Sequence, residues 1–415
     1  MAPPAELPTY FRKGFGLKSE VQDELAADYD GWLVDWLRAH DFTLAVGGVT
    51  IRLAREFGFC YGVERAVEYA YQARRKFPER RIFLVGEIIH NPQVNARLRA
   101  MGIEILAPGE RGFDYSVVTP EDVVILPAFG VTIDDFAALR AIGCVLVDTT
   151  CGSVLNVWKR VESYARDGFT AVIHGKHYHE ETRATASQVQ KFEGGRYLVV
   201  RNMDEARLVC DFIEGRADAA ALTTRLGHAA SPAFDPERDL QRIGVANQTT
   251  MLAGESLAIA EEIGAAIARA RGGDARARDF RSFDTICSAT QERQDAVRDL
   301  LAEPLDVMVV AGGFNSSNTI SLAALCAEQV PTYHIESVTA IDPERGTIHF
   351  RPAGVHHHEE ERAGWLPAGP VRVGLTAGAS TPNSKIGEVV LRILATRGIA
   401  PEALAGMRDG WQRGE

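Results

Sequence analysis

Long apolar runs, paired cysteines and an excess of positive charge are all lacking in this 415-residue chain. No apolar run approaches the roughly 18 residues that a membrane span needs. The six cysteines are scattered without CxxC pairs, which argues against the disulfide framework of a small secreted protein. The formal net charge of −11 argues against a general nucleic-acid binder, whose affinity would come from clustered Lys and Arg. A local phosphate site stays open.

We recognise no targeting signal in the first residues of the sequence. A transit peptide would be rich in Arg and Ser and poor in acids, whereas residues 1–48 carry Glu6, Glu20, Asp23 and further acids. With no signal peptide recognised either, we expect a cytoplasmic protein whose thiols stay reduced. We expect the extension to belong to the mature fold, with one amphipathic helix from Val21 to His40.

Three of the cysteines stand where a helix is predicted to begin. Cys151 lies between the strand-like run 144–147 and a helical stripe, a stretch whose apolar residues recur at helical spacing and which ends at Gly168. Cys60 and Cys287 precede stripes of the same kind, and the tetrapeptides DTTC and DTIC are nearly identical. A helix N-terminus favours a thiolate, because its N–H groups are unpaired and its dipole is positive there. A lone cysteine of this kind is more often a buried small residue, but here the arrangement occurs three times.

The cysteines belong to a threefold repeat. Each cysteine helix is followed by an apolar run typical of a buried parallel strand, and then by a polar turn that contains Gly. The polar turns hold His90, His179 and Ser316, which follow their cysteines by 30, 28 and 29 residues. A further strand in each repeat runs into an end loop. The three end loops are LPAFG with Phe129, ANQTT with Thr249 and Thr250, and LTAGAS with Ser380.

This repeat predicts an α/β fold of three related modules. Each module would present a cysteine and two polar loops at the carboxyl ends of its strands, where open α/β sheets bind ligands. We expect an extension at 1–48, modules at 49–143, 144–279 and 280–400, and a tail at 401–415.

Three further stretches have a composition that predicts their structure. Residues 211–240 are expected to form an irregular insertion in the second module, and the Gly-Gly between charges at 268–281 predicts a linker. The three His in the stretch 354–362 could bind metal, although a solvated charged loop explains them better. Cys144, Cys210 and Cys326 lack the strand-to-helix context and are interpreted as core residues.

One thiolate from each module could hold zinc or an iron–sulfur cluster. Three Cys and one His form a known structural zinc set, but structural zinc ligands usually come in close pairs. Cys60, Cys151 and Cys287 are 91 and 136 residues apart. An iron–sulfur cubane held by three thiolates leaves one iron without a protein ligand, open to a substrate oxygen. We therefore favour the cluster.

The polar turns suit a phosphorylated substrate. Ser316, Ser317 and Asn318 begin a predicted helix, where N–H groups and hydroxyls can bind an anion. His90 and His179 open equivalent helices and can donate to phosphate oxygens. A simple N-cap for the serines and buried, satisfied histidines are the alternatives, and three polar residues at equivalent positions argue against them.

The same residues carry a family resemblance. FGFCYGVERAV, EIIHNP, DTTC, HGKHYHEET, NQTTM, FDTIC, NSSN and TAGASTP occur in order between about Val49 and Val390. Together they resemble the LytB family of 4-hydroxy-3-methylbut-2-enyl diphosphate reductases, which complete the methylerythritol phosphate route to isoprenoids. LPAFG, YFRKGFG and the 211–240 insertion resemble the long branch found in chloroplasts and cyanobacteria. The resemblance implies a pseudo-threefold trefoil of α/β modules around a [4Fe–4S] cluster.

The resemblance also implies an activity and roles for individual residues. The enzyme would remove an allylic hydroxyl reductively, giving isopentenyl and dimethylallyl diphosphate, with ferredoxin or flavodoxin as electron donor. Cys60, Cys151 and Cys287 would hold the cluster, and Glu181, Thr249 and His179 would form the catalytic set, with Glu181 delivering a proton. The residues implied around the substrate are His90, His179, Thr249, Thr250, Ser316, Ser317, Asn318 and Ser380.

Two positions depart from the family pattern. Phe129 stands where short-branch members carry His, so one diphosphate donor is missing or replaced. Gly152 follows the second cysteine where Pro is usual, and Pro at the first helical position pre-sets a helix start. The second departure should reduce local rigidity without removing the ligand.

Two other classes of function stay open on the sequence. A redox-neutral cluster hydratase would normally bind a carboxylate substrate through Arg, and no Arg stands at the polar turns. A cluster-based redox sensor would need a basic recognition helix, and the one Arg-rich stretch is 268–281. That stretch could instead dock an acidic ferredoxin.

Overall fold

The structure, a computed structural model, describes residues 9–109, 112–355 and 357–413. The ends of the predicted extension (1–8) and tail (414–415), and His356 of the charged stretch, lie outside the described residues. The helices are α1 (Lys18–Tyr29), α2 (Trp32–Ala39), α3 (Tyr61–Lys76), α4 (Pro92–Ala100), α5 (Ile133–Ile142), α6 (Gly152–Arg166), α7 (Glu180–Ser187), α8 (Met203–Ile213), α9 (Ala219–Leu226), α10 (Pro236–Asp239), α11 (Ala253–Arg271), α12 (Gly273–Asp279), α13 (Ser288–Leu301), α14 (Ser317–Ala327), α15 (Asn383–Ala395) and α16 (Ala405–Arg413). Within the described ranges, none of them combines the length and apolar character that a membrane crossing requires.

The strands are short, as in most α/β proteins. They are β1 (Tyr10–Phe11), β2 (Thr43–Val46), β3 (Val49–Leu53), β4 (Ile82–Val85), β5 (Ile103–Leu106), β6 (Pro108–Gly109), β7 (Gly112–Phe113), β8 (Val123–Leu126), β9 (Val145–Asp148), β10 (Thr170–His174), β11 (Tyr197–Val200), β12 (Ile243–Asn247), β13 (Phe280–Ser282), β14 (Val307–Ala311), β15 (Thr332–Ile335), β16 (Ile341–Asp342), β17 (Thr347–Phe350), β18 (Glu360–Ala363) and β19 (Val371–Ala377).

The chain divides into two compact units, and the first consists of the chain up to Phe15 together with 77–88 and 99–287. It contains two parallel sheets, with strand orders β1-β9-β8-β4-β5 and β11-β10-β12-β13. Every residue of β4, β8, β9, β10 and β12 is buried. Strands buried throughout in this way are typical of parallel sheets that are covered on both faces.

The second unit consists of 16–76, 89–98 and 288–415. Its main sheet has the order β15-β14-β19-β3-β2, parallel except for β2, and a small antiparallel sheet has the order β16-β17-β18. The core packs β3, β14 and β19 against α2 and α15, with Leu37, Ile51, Val309 and Val390 all fully buried. The predicted α/β class is therefore confirmed.

The three main sheets share one strand plan. In each, the strand that leads into a polar turn (β4, β10, β14) pairs with the strand of an end loop (β8, β12, β19). That strand pairs in turn with the one that leads to a cysteine (β9, β13, β3). Each cysteine therefore follows a strand of a sheet that carries the polar turn of another repeat. Cys151 belongs with the turn of His90, Cys287 with that of His179, and Cys60 with that of Ser316. The module boundaries drawn from the sequence stay predictions.

Three local predictions were wrong. The single helix from Val21 to His40 is two helices, α1 and α2, separated at Gly31, where a Cβ would lie 3.1 Å from the Asn383 carbonyl oxygen. Residues 268–281 form no linker, because they complete α11, build α12 with a buried Ala275, and enter β13 of the second sheet. The insertion at 211–240 is not irregular throughout, since it contains α9 and α10.

Candidate active site

Each of the three repeat cysteines lies directly before a helix and is fixed by its own backbone amide. In every case the N–H donates to a carbonyl oxygen of the end loop that belongs to the same sheet. The pairs are Cys60 to Ala379 (3.2 Å), Cys151 to Ala128 (2.9 Å) and Cys287 to Thr249 (3.2 Å). The repeat predicted from the sequence therefore exists at the level of individual hydrogen bonds. Phe129, Thr250 and Ser380 each follow one of these three carbonyl groups, so they occupy equivalent positions in the three end loops.

The turns DTTC and DTIC have the same internal bonds. Each Asp carboxylate accepts the amide N–H two residues later, and each Thr hydroxyl donates to the carbonyl that ends the neighbouring strand. The bonds are Asp148 with Thr150 N (2.9 Å), Asp284 with Ile286 N (3.0 Å), Thr149 with Leu126 O (2.6 Å) and Thr285 with Asn247 O (3.1 Å). The similarity of the two turns thus has a direct structural meaning, because the shared Asp and Thr fix the chain just before the thiol.

Burial separates the six cysteines into two groups. Cys144, Cys210 and Cys326 are buried, whereas the three repeat cysteines are half-buried, and none of the six is in a disulfide. Burial raises the pKa of Cys144 to about 11 and the pKa values of Cys210 and Cys326 to about 12. The buried group therefore stays protonated, and the half-buried thiols at helix starts are the ones that suit metal binding.

His179 caps α7 through its ring. Its Nδ1 accepts the backbone N–H of Glu181 at 3.2 Å. A neutral imidazole with an acceptor at Nδ1 carries its proton on Nε2, so His179 offers one N–H donor. The ring of Phe129 meets the His179 ring edge to face, with centroids 5.9 Å apart and an interplanar angle of 78°. Phe129 cannot donate a hydrogen bond, but this contact restricts the orientation of the donor beside it.

Glu181 is bound at both of its carboxylate oxygens by one residue. It lies in the first turn of α7 and is 2 % exposed. Its Oε1 accepts the Thr249 backbone N–H at 2.6 Å, and its Oε2 accepts the Thr249 hydroxyl at 3.0 Å. The first unit therefore brings the predicted catalytic residues Glu181, Thr249 and His179 together. A carboxyl group hydrogen-bonded to a rotatable hydroxyl can pass a proton through it.

The second unit joins three of the predicted substrate segments. The Ser380 hydroxyl donates to the His90 carbonyl at 3.1 Å, and Asn318 Oδ1 accepts the Ala379 N–H at 3.0 Å. The Asn91 amide closes the set by donating to the Ser380 carbonyl at 2.8 Å. Sequence reasoning missed Asn91, although it lies in the EIIHNP motif directly after His90. The sequence could not show that it ties two loops together.

The stretch Ser316–Asn318 forms the start of α14. Ser316 is the N-cap, and its Oγ accepts the Thr319 N–H at 3.3 Å. The alternative interpretation as a cap is thus correct for Ser316, yet its hydroxyl proton is still available to donate. Ser317 and Asn318 are buried in the first turn. Gly313, just before this stretch, has no room for a side chain, because a Cβ would lie 2.3 Å from the His90 carbonyl oxygen.

Gln248 is a second residue that the sequence did not single out. Its Oε1 accepts the Lys176 N–H (3.1 Å) and the Thr182 hydroxyl (3.0 Å), and its Nε2 donates to Thr250 Oγ1 (3.1 Å). Burial, together with the nearby charge of Arg201, lowers the pKa of Lys176 to about 8. Gln248 thereby connects the polar turn of His179 to the end loop of Thr249 and Thr250.

The family model described as LytB protein matches residues 51–394. The chain belongs to the LytB family. It is 48% identical over 403 residues to the 4-hydroxy-3-methylbut-2-enyl diphosphate reductase of Gloeobacter violaceus, covering 96% of this chain and 95% of the relative. It is 47% identical over 392 residues to the enzyme of that name from Thermosynechococcus vestitus, covering 94% of this chain and 96% of the relative.

Two solved structures are similar to this LytB-family chain. One is an (E)-4-hydroxy-3-methyl-but-2-enyl diphosphate reductase with 29% sequence identity and a TM-score of 0.50, covering 83% of this chain and 98% of that one. The other is the E-1-hydroxy-2-methyl-but-2-enyl-4-diphosphate reductase of Plasmodium falciparum, with 19% identity and a TM-score of 0.58, covering 82% and 86%. The second comparison supports the α/β fold of the family.

In this LytB-family chain the predicted site residues fall into two groups. The first unit holds Cys151, Cys287, His179, Glu181, Thr249 and Thr250. The second unit holds Cys60, His90, Ser316, Ser317, Asn318 and Ser380. Each group is hydrogen-bonded within its own unit.

Proposed function

We propose that the chain is itself a 4-hydroxy-3-methylbut-2-enyl diphosphate reductase, which removes the allylic hydroxyl with two electrons and two protons. The products are isopentenyl and dimethylallyl diphosphate, together with water. The observation that carries this proposal is the buried Glu181 carboxylate bound at both oxygens by Thr249, in a chain whose relatives bear that name. The three sheets would be the three modules predicted from the repeat.

A [4Fe–4S] cluster would be held by Cys60, Cys151 and Cys287, leaving one iron without a protein ligand. The donor set fits this group, because all three thiols are half-buried and precede helices, and each is anchored through its N–H. Thiols of this kind need a reducing compartment such as the cytoplasm. When bound, the cluster would relay electrons from an external donor and supply the Lewis acidity that cleavage of the C–O bond needs.

Glu181 and Thr249 would deliver the proton with which the hydroxyl leaves as water. When Glu181 is ionised, both donors of Thr249 point at its oxygens. When Glu181 is protonated, it can donate to Thr249 Oγ1, and the threonine proton can then turn toward the substrate. The backbone bond at 2.6 Å keeps the carboxyl group in place in both states. The second proton of the reaction ends on carbon.

The diphosphate would be bound by neutral donors and a helix start. Those donors are His90, His179, Ser316, Ser317, Asn318 and Ser380, whereas Thr249 and Thr250 would lie beside the allylic hydroxyl. His179 presents Nε2–H, and α14 adds backbone N–H groups and the positive end of its dipole. Phe129 takes the position of a donor in the first end loop and contributes an apolar contact instead. The electron donor would be ferredoxin or flavodoxin.

The decisive experiment uses anaerobically purified protein whose cluster is quantified by Mössbauer spectroscopy. The protein is reduced with dithionite and methyl viologen and mixed with 4-hydroxy-3-methylbut-2-enyl diphosphate. We expect both isopentenyl and dimethylallyl diphosphate to form, with two electrons consumed per substrate. Loss of the hydroxyl without consumption of reductant would instead identify a hydratase. Unchanged substrate in the presence of a full cluster would refute both activities.

A further inference from the structure

An exposed basic strip lies on the first unit beside two of the cysteine turns. We define it by Lys159 and Arg160 on α6, and by Arg281 and Phe283 on the segment that leads to Cys287. Phe283 is 43% exposed although it is large and apolar. The Arg160 guanidinium lies over its ring, 3.9 Å from the centroid.

Stacking prearranges the guanidinium groups of the strip. Arg281 lies 4.2 Å from the centroid of the Phe169 ring, and Arg242, which is not part of the strip, lies 4.0 Å from the same centroid. The Phe283 ring also stacks against Tyr164, with centroids 6.4 Å apart. A guanidinium group stacked on a ring has few rotamers left to lose, and its N–H groups still match the geometry of a carboxylate. Arg281 already pairs with Asp167, so Arg160 is the stacked group that is suited to receive a carboxylate from another molecule.

The charge of the strip is only partly cancelled locally. Asp167 already accepts Arg281 at 2.6 Å, and Glu162 is paired with Lys191 at 2.6 Å. Among the residues that the structure describes, Lys159 and Arg160 have no carboxylate partner. Two other carboxylates lie nearby: Asp284 is exposed and accepts the Ile286 N–H, and Asp148, which lines the same cavity as Lys159, is paired with Arg12 at 3.4 Å. A local excess of positive charge therefore stands out on a chain whose net charge is −11.

The strip is also close to the candidate metal ligands along the chain. Lys159 lies eight residues beyond Cys151 on one helix, which corresponds to a rise of about 12 Å. Phe283 precedes Cys287 by four residues, so their Cα atoms are at most about 14 Å apart. A molecule bound to the strip would therefore sit near two of the three cysteine turns.

We propose that this strip docks the protein that delivers the electrons, a small acidic one-electron carrier. The inference rests on the proposed function, because the reduction needs two electrons from outside the chain. Carboxylates of the carrier pair with Arg160 and Lys159, and Phe283 provides the apolar centre of the contact. Each docked carrier is oxidised by one electron, so two dockings serve one turnover, and solvent supplies both protons.

The test compares two electron sources in charge-reversal variants. Lys159→Glu and Arg160→Glu are each assayed with a reduced, acidic [2Fe–2S] ferredoxin at low ionic strength. We expect kcat/KM for ferredoxin to fall by about tenfold or more, since electrostatic steering raises association rates by roughly 10 to 10³. Activity with dithionite and methyl viologen should equal that of the parent, which also shows that the variants are folded. Arg225→Glu on α9, an exposed position with the same change of charge, should behave like the parent in both assays.

Binding provides a readout that does not depend on turnover. Oxidised ferredoxin is titrated into the protein by calorimetry at low and at high salt. The dissociation constant should rise at least roughly tenfold in Lys159→Glu, and the salt dependence should weaken. Equal ferredoxin affinity and ferredoxin-driven activity in the parent and in both strip variants would overturn the docking proposal. An inactive parent with dithionite and a full cluster would refute the proposed function, while the titration would still decide whether the strip binds the carrier.

Discussion

Replacement of Glu181 by Gln separates its proposed chemical role from a structural one. Gln has nearly the same shape, so its Oε1 can still accept the Thr249 N–H that is now bound at 2.6 Å. Its amide group can donate to Thr249 Oγ1, because the threonine hydroxyl can rotate. Both contacts of the buried carboxylate therefore survive in some form, and only the proton that a carboxylic acid can release is lost.

The two roles predict effects of different size. Exchange of charge-assisted bonds for neutral ones at this site should cost about 1 kcal/mol of stability. Loss of a general acid lowers rates typically 10²- to 10⁴-fold, which corresponds to about 2.7–5.4 kcal/mol of barrier. We therefore expect kcat of Glu181→Gln to fall by two to four decades, with KM changed by less than about threefold. The unfolding transition should move only slightly.

The assay measures kcat and KM with dithionite and methyl viologen, on protein whose iron content matches that of the parent. Thr249→Ser and Thr249→Val form a matched pair, because serine retains the hydroxyl and valine keeps only the shape and the backbone N–H. If the hydroxyl relays the proton, Thr249→Val should lose at least about tenfold in kcat and Thr249→Ser should lose little. Near-parental turnover by Glu181→Gln with an intact cluster would refute the argument and reduce Glu181 to a helix-start carboxylate, which is worth about 0.3–1 kcal/mol.

Three further predictions follow from other parts of the structure. Cys151→Ser should lose bound iron and activity. Cys326→Ala, a change in a fully buried side chain, should retain both. A full iron content in Cys151→Ser would exclude Cys151 as a ligand. Asn318→Ala removes a substrate donor and the bond to the Ala379 N–H, so KM should rise about 10- to 150-fold, the equivalent of 1.5–3 kcal/mol; an unchanged KM would remove Asn318 from the diphosphate site. Burial lowers the pKa values of His174 and His334 from 6.5 to about 4. Between pH 6.5 and pH 4 the unfolded chain therefore binds more protons than the folded chain. The free energy of unfolding should fall as the pH drops through that window, by up to about 3 kcal/mol per histidine. His334→Gln, whose amide can still donate to the Gly312 carbonyl that His334 Nε2 now contacts at 3.0 Å, should lose less stability between pH 7 and pH 5 in urea titrations, and an identical loss would contradict this reasoning.

The sequence by itself determined the features that depend on local order. Apolar runs of three or four residues specified β4, β10 and β14, because buried parallel strands are apolar on both faces. Helical stripes placed Cys60, Cys151 and Cys287 at helix starts, and the repeated spacing identified the polar turns. The motifs around these residues also predicted the family, and the match of residues 51–394 to the family model confirms it.

The tertiary structure decided which segments meet. The strand before each cysteine pairs into the sheet of another repeat's polar turn. No local sequence pattern predicts that pairing. Glu181 and Thr249 are 68 residues apart, so their two hydrogen bonds exist only once β10 and β12 pair. The stretch 268–281 carries Gly-Gly and charges that predict a linker, yet burial of Ala275 and the edge pairing of β13 make it ordered structure. In each case the deciding free energy comes from long-range pairing and burial, which local composition does not contain.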